Sequence, residues 1–392
     1  MKPIIKSLLD NDLYKFTMQQ IFLHFEKRTN SKYEFICRTP GIDFSHVFTQ
    51  IQEQVDHLCN LKFTEDELEY LNTLPYIKTQ YLSYLKNFKL NRNNINIKLD
   101  KNKMLRVEIE AAIIDASMFE VPVLAIISEL FSKSIISPEH AFNNGRKILL
   151  DKLNYLNSQN SIITFSDFGT RRRYSSEWHD MLINQITDSG YKGFLGTSNV
   201  YLSKKYNITP IGTMAHEWIM AHAGIASLAE SNKMALNRWL NFYKGKLGIA
   251  LTDTYTTDFF LSDFDNNLTK NYSGLRQDSG DWHKWGTTVI EHYRNHNIDP
   301  KEKTLIFSDS LNFELITEIY NKFKNDVSLI FGIGTHLTND IGIRPLQIVL
   351  KMVECNNRPV IKISDSKEKT LCKCEAFKKK AIKYFEEYNK NS

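Results

Sequence analysis

The chain has 392 residues, of which 42% are hydrophobic, and it carries 50 Lys and Arg against 45 Asp and Glu. That length and apolar content can bury a sizeable core in one or two domains, which excludes a disordered or fibrous polymer. A net charge of +5 spread over this length suits anionic ligands but is too mild to select a partner.

The N-terminus reads Met1-Lys2-Pro3 and runs into a polar, helix-like stretch without the apolar core of a secretory signal, so a cytoplasmic location is expected. The longest apolar run, residues 121–128 between Glu120 and Glu129, falls far short of the ~20 residues that cross a bilayer, so no membrane partner is expected. The cysteines, Cys37, Cys59, Cys355, Cys372 and Cys374, are odd in number and scattered, which fits reduced thiols. Cys372 and Cys374 have no second Cys pair or nearby His, so a metal site there is not expected.

Neither a repeat period nor a Gly/Ser or Pro linker divides the chain. The first third mixes helix-like stretches at 48–58 and 65–74 with short apolar strands at 33–37 and 105–109, the pattern of an α+β unit. From residue 162 short apolar strands follow one another at 162–165, 193–195, 208–212, 247–251, 274–276, 304–307 and 328–331. Most are followed by a helical segment, which predicts parallel pairing and an irregular α/β barrel of seven or so strands. The tail holds an apolar helix or strand at 346–353, a turn at Asn356-Asn357 and a strand at 359–363. The expected organisation is an N-terminal α+β domain over 1–134, rejoined by 341–392, and a barrel domain over 135–340.

In such a barrel the residues just after each strand converge on one mouth, and here those positions are uniformly polar or Gly-rich. Gly332-Ile333-Gly334-Thr335 lets backbone N–H groups approach a phosphate, although a structural turn would use the same glycines. Asp278, Asp281 and Asp309 sit in loops after different strands, where they could hold ribose hydroxyls or a phosphate-bound Mg2+, or cap helices. Arg171, Arg172 and Arg173 crowd one strand end, which calls for an anion, and Arg171 is the nearest to it; Phe168 offers a flat face for a ring. A lone histidine is more often structural than catalytic, but His216 follows Gly212-Thr213 at a strand end, where neutral imidazole can take a phosphoryl group. Asp253 is the candidate to orient it, whereas His222 reads as packing.

Together these segments resemble the nicotinate phosphoribosyltransferase family, from near the N-terminus to about Cys372. The resemblance rests on Leu8-Leu9-Asp10-Asn11-Asp12-Leu13-Tyr14-Lys15, Glu120-Val121-Pro122, Asp167-Phe168-Gly169-Thr170-Arg171-Arg172-Arg173 and Gly196-Thr197-Ser198-Asn199. It continues through Gly212-Thr213-Met214-Ala215-His216-Glu217, Gly274-Leu275-Arg276-Gln277-Asp278-Ser279-Gly280-Asp281, Phe307-Ser308-Asp309 and Phe331-Gly332-Ile333-Gly334-Thr335.

The resemblance implies transfer of the ribosyl phosphate of 5-phosphoribosyl 1-pyrophosphate to nicotinate in NAD biosynthesis. It further implies Mg2+ and ATP hydrolysis through a phosphorylated His216 oriented by Asp253. It places Phe168 and a partner subunit's Tyr14 on the two faces of the pyridine ring, hence at least a homodimer with a shared site. It assigns Arg171 to the substrate carboxylate or a phosphate, and Arg276 to the ring or 5-phosphate. Thr197 and Ser198 belong to the same acceptor site, Asp278 and Asp309 serve ribose or metal, and Gly332, Gly334 and Thr335 hold phosphate. Relatives that use nicotinamide carry an acidic residue where this chain has Ser198, and a carboxylate there would repel nicotinate. Trp282 stands where family members commonly have Pro.

A nicotinamide- or quinolinate-using phosphoribosyltransferase is the nearest alternative, disfavoured by Ser198 and by the His216 motif respectively. A sugar-phosphate isomerase barrel would share phosphate loops but needs no phosphohistidine. Nucleic-acid binding would rest on segments such as Lys378-Lys379-Lys380, which a solvated helix face explains, so no nucleic acid is expected.

Overall fold

The structure is a computed structural model that describes residues 2–391, and of Lys367 and residues 389–391 the backbone only. The strands are β1 Asn30–Cys37, β2 Ile95–Leu99, β3 Leu105–Ala112, β4 Phe165–Asp167, β5 Phe194–Thr197 and β6 Thr209–Pro210. They continue as β7 Ile249–Leu251, β8 Gly274–Gln277, β9 Thr304–Phe307, β10 Ser328–Ile333, β11 Ile348–Cys355 and β12 Arg358–Pro359. Packing divides the chain into two compact units, one comprising residues up to Lys27, Lys32–Gly212 and Ile333–Lys351, the other Arg28–Ser31, Thr213–Gly332 and Met352 onward.

In the first unit β2 and β3 pair antiparallel with Ile97 opposite Val107. Ile95, Ile97, Leu105, Val107 and Ile109 are buried while Asn96, Lys98, Arg106 and Glu108 face water, the period of two that a half-covered sheet requires. Helices Leu13–Phe25 and Glu120–Ile135 are buried on nearly every side. Their buried faces include polar side chains, and those of Lys15 and Glu120 pair with each other at 2.6 Å. Helix Glu65–Thr73 starts where Thr64 and Glu67 form a reciprocal capping box. Strands β4, β5 and β6 pair in parallel, with Asp167 level with Thr197 and Thr197 level with Pro210. β6 is shorter than the stretch expected at 208–212 because Pro210 has no N–H for the ladder and Gly212 turns away at φ 146.

In the second unit β7, β8, β9 and β10 are parallel, with Leu275 level with both Ala250 and Leu305. Helices Leu228–Tyr243, Trp282–Asn295 and Phe313–Phe323 start at Ser227, Asp281 and Asn312, whose side chains accept from the third helical N–H. With three parallel strands in the first unit and four in the second, the expected α/β class is observed.

The returning C-terminal segment is also observed: β11 lies beside β1 in the order β12-β11-β1-β3-β2. The segment at 346–353 is therefore strand rather than helix. Beyond β12 the chain stays in the second unit, where helix Glu375–Asn391 places Phe385 against Tyr255 (ring centroids 4.6 Å, stacked) and Phe259 (4.6 Å, edge-on). Among the described residues no helix is long and apolar enough to cross a membrane.

Candidate active site

In the second unit the ends of β7 and β8 and the start of helix His216–Ile225 bring three titratable side chains together. His216 Nε2 lies 2.9 Å from Asp253 Oδ1 and 3.6 Å from Asp278 Oδ2. A carboxylate only accepts, so Nε2 carries the proton toward Asp253 and Nδ1 keeps the lone pair. Asp253 Oδ2 accepts from Ser279 Oγ at 2.6 Å and pairs with Lys362 Nζ at 3.0 Å. His216, Asp253, Ser279 and Lys362 are all buried.

Burial, and then the positive charge of Lys362, push the His216 imidazole down to about 4 against the opposing pull of Asp253 and Asp278. It is therefore neutral at physiological pH, the state a nitrogen nucleophile needs. Burial alone would raise the Asp253 carboxyl, but His216, Lys362 and the Ser279 hydroxyl outweigh it and hold it well below its usual range. The dyad is thus an anionic carboxylate, balanced by a lysine, holding a neutral ring.

Lys362 is absent from the residues expected at the site. Its signal lay in Val360-Ile361-Lys362-Ile363, since a lysine inside an apolar run is almost never buried without an anionic partner. The residues around it bind the loops that carry Asp253 and Asp278. Ile363 N donates to Thr254 O at 2.9 Å, Ser364 Oγ to Ser279 Oγ at 2.7 Å, and Thr257 N and Oγ1 to Asp365 at 2.8 and 2.6 Å. Gly280 N donates to Ser366 Oγ at 3.0 Å, and Lys369 reaches both Asp309 and the Asp278 carbonyl. Gly280 is required here: its φ is +83 and a Cβ would come within 2.9 Å of Asp365.

The other expected residues of this unit fall into place unequally. Asp278 is partly exposed, accepting from Ser308 Oγ at 3.0 Å, while Asp309 is paired to Lys369. Asp281 caps helix Trp282–Asn295 through Lys284 N at 2.7 Å and is exposed, so the capping reading describes it. Trp282 occupies the first helical position, where a proline is also at home, and packs edge-on against Phe323, so the cap is intact beside it. Arg276 lies in β8 with a buried Nε that has no hydrogen-bond partner among the described residues, and Gly332 lies in β10. His222 is structural: its Nδ1 sits 2.7 Å from Trp218 O.

In the first unit a second group forms at the ends of β4 and β5. Asp167 accepts from Gly169 N at 2.9 Å and Thr197 Oγ1 at 2.6 Å, and pairs with His179 at 2.6 Å, which fixes the turn carrying Phe168. Thr197 therefore acts on Asp167. Phe168 N donates to Ile333 O at 2.8 Å, next to Gly334, and Thr335 opens a short helix from a partly exposed position.

The three arginines separate. Arg173 is buried and bidentate to Asp10 at 2.7 Å in both contacts, Arg172 donates to Gln347 Oε1 at 2.6 Å, and Arg171 is partly exposed, with 38% of its side chain open. Arg171 reaches Glu120 at 3.3 Å, alongside Lys15 at 2.6 Å and Lys351 at 3.9 Å. Burial would raise the Glu120 carboxyl, but these cations bring it down to about 2. Ser198 Oγ donates to Asp12 Oδ1 at 2.7 Å, and Tyr14 lies half-buried at the second position of the helix that Asp12 precedes.

Comparison with known proteins identifies the family. The model of the nicotinate phosphoribosyltransferase (NAPRTase) family matches residues 163–389, and that of the nicotinate phosphoribosyltransferase N-terminal domain matches residues 9–128. A nicotinate phosphoribosyltransferase of Acinetobacter baumannii is 45% identical, over 96% of this chain and 96% of its own length. One of Xanthomonas axonopodis pv. citri is 43% identical over 94% of each. The crystal structure of nicotinate phosphoribosyltransferase from Vibrio cholerae superposes with a TM-score of 0.93 at 35% identity, covering 98% of this chain and 94% of that one. That from Porphyromonas gingivalis gives 0.89 at 32% identity, covering 97% and 99%. The chain belongs to the nicotinate phosphoribosyltransferase family.

Proposed function

We propose that the protein joins nicotinate to the ribosyl phosphate of 5-phosphoribosyl 1-pyrophosphate, releasing pyrophosphate and nicotinate mononucleotide for NAD biosynthesis, and couples this to ATP hydrolysis through phosphorylation of His216. The observation that carries the coupling is the neutral, buried His216 held through Nε2 by Asp253. Its Nδ1 attacks the terminal phosphorus of ATP, the bridging P–O bond breaks, and ADP leaves with the electron pair.

In the transfer step the pyridine nitrogen bonds to the anomeric carbon as pyrophosphate departs. Catalysis is then mainly positioning and stabilisation of the leaving charge. Phe168 stacks on the ring, with Tyr14 of a second subunit on the other face, and Arg171 meets the carboxylate from its partly exposed position. Arg276, with an unengaged Nε, takes a phosphate, as do Gly332, Gly334 and Thr335.

Among the described residues, the His216 group could hold Mg2+ through Asp278. His216, Asp253 and Asp278 present donor atoms within 4.8 Å of one another, but both Asp253 oxygens are engaged and a ring nitrogen suits the hard ion poorly. Asp278 is the ligand it would use, completed by phosphate oxygens and water. Bound there, the ion would neutralise phosphate charge.

Ser198 favours nicotinate over nicotinamide, because an acidic residue at 198 would face both Asp12 and the substrate carboxylate. The test is product formation from nicotinate and from nicotinamide, each with 5-phosphoribosyl 1-pyrophosphate and Mg2+, with and without ATP. Nicotinate mononucleotide formation stimulated by ATP supports the reading; turnover of nicotinamide alone, or no product, removes it.

A further inference from the structure

We propose that Lys362 is a positioning residue for phosphoryl transfer to His216: its ammonium, delivered by the C-terminal strap over residues 362–369, holds Asp253 in place as a charge-balanced anion. The inference rests on the phosphohistidine reading above and names the residue that reading lacks.

Three observations carry it. Lys362 Nζ lies 3.0 Å from Asp253 Oδ2, the carboxylate oxygen opposite the one that receives His216 Nε2–H. A carboxylate gripped at one oxygen by the imidazole and at the other by a cation and the Ser279 hydroxyl has no freedom to rotate. The Lys362 backbone is itself fixed, its N–H and C=O exchanging hydrogen bonds with Leu371 at 3.0 and 2.8 Å, and its neighbour Ile363 donating to Thr254 O in the loop that carries Asp253. Finally, Asp253 is fully buried, and a carboxylate there stays ionised only with a cation beside it.

With Lys362 holding Asp253 Oδ2, Asp253 Oδ1 stays aimed at Nε2–H, and Nδ1 is left to form the N–P bond as the bridging P–O bond of ATP breaks. As positive charge grows on the ring, Asp253 is already in place to receive it. Lys362 touches neither ATP nor the phosphoryl group in this scheme. It acts through Asp253.

The test uses the full chain as Lys362→Arg, Lys362→Gln and Lys362→Met variants, with ATP labelled at its terminal phosphate. Labelling at saturating ATP should fall about 10- to 100-fold in Lys362→Gln and Lys362→Met, with a half-saturating ATP concentration close to that of the parent, and Lys362→Arg should recover most of the rate. Lys362→Gln keeps a donor without the charge and serves if Lys362→Met does not fold. Parental labelling in the Gln variant, or a loss confined to the half-saturating concentration, would overturn the proposal. If the parent chain itself takes no label, the phosphohistidine reading fails separately, and nitrogen NMR of the His216 ring still decides about Lys362. A ring signal that departs from the Nε2–H form in the Gln variant and returns in the Arg variant supports it; an unmoved signal overturns it.

Discussion

Ser198 Oγ donates to Asp12 Oδ1 across 2.7 Å, and both residues are buried. Burial, opposed by Arg171 and by hydroxyl donors, leaves the Asp12 carboxyl raised above its usual range. The Ser198 hydroxyl is thus a donor to a buried carboxylate.

Ser198→Asp removes that donor and sets a second carboxylate against the first, which should cost about 1–3 kcal/mol of stability and raise one of the two carboxyls. The same charge should lower kcat/KM for nicotinate at least about tenfold relative to nicotinamide. Steady-state kinetics with both substrates, below the variant's unfolding midpoint, check this. An unchanged ratio would sink the specificity argument.

Asp253→Asn keeps the shape beside His216 but replaces the acceptor that fixes the Nε2–H tautomer, and it leaves Lys362 buried without its anion. Phosphoryl labelling should fall by about 100-fold or more. Labelling at the parental rate would show that His216 needs no orienting anion.

Arg173→Leu leaves Asp10 buried beside Asn199 with its bidentate partner gone. Burial would raise the Asp10 carboxyl, and at present Arg173, with Asn199 and His179, more than cancels that. The loss should be about 3–5 kcal/mol, read by denaturant unfolding. A change under about 1 kcal/mol would mean that the buried pair contributes little to the fold.

Stability should depend on pH through His222, which burial, with Arg238 nearby, depresses to about 3. Above pH about 6.5 the ring is neutral in both folded and unfolded chains and has no effect. Below that the unfolded chain binds a proton that the folded chain refuses, so stability falls progressively toward pH 3. His222→Gln should therefore lose less of its unfolding midpoint between pH 7 and pH 4.5 than the parent does; parallel losses would contradict the assignment.

Strand–helix alternation and Gly-rich strand ends were enough to read the α/β class and to place His216 beside Asp253, because local pattern dictates both. Asp281 was ambiguous in the sequence because the same residue type caps helices and binds metal, and only its bond to Lys284 N resolves it. The Arg171-Arg172-Arg173 run could not be apportioned by spacing, since the anion that neutralises Arg173 is Asp10, 163 positions away. For Lys362 the apolar run Val360-Ile361-Lys362-Ile363 signals a buried cation, but not its partner, which comes from a loop more than a hundred residues earlier.

The most direct test follows phosphate transferred from the terminal position of ATP to the chain, together with nicotinate mononucleotide formation, in the parent and in His216→Ala. Acid-labile label on the parent, none on the variant, and ATP stimulation only in the parent are the results predicted. Label or stimulation that survives in His216→Ala would contradict the phosphohistidine and leave the transfer reaction to be explained without it.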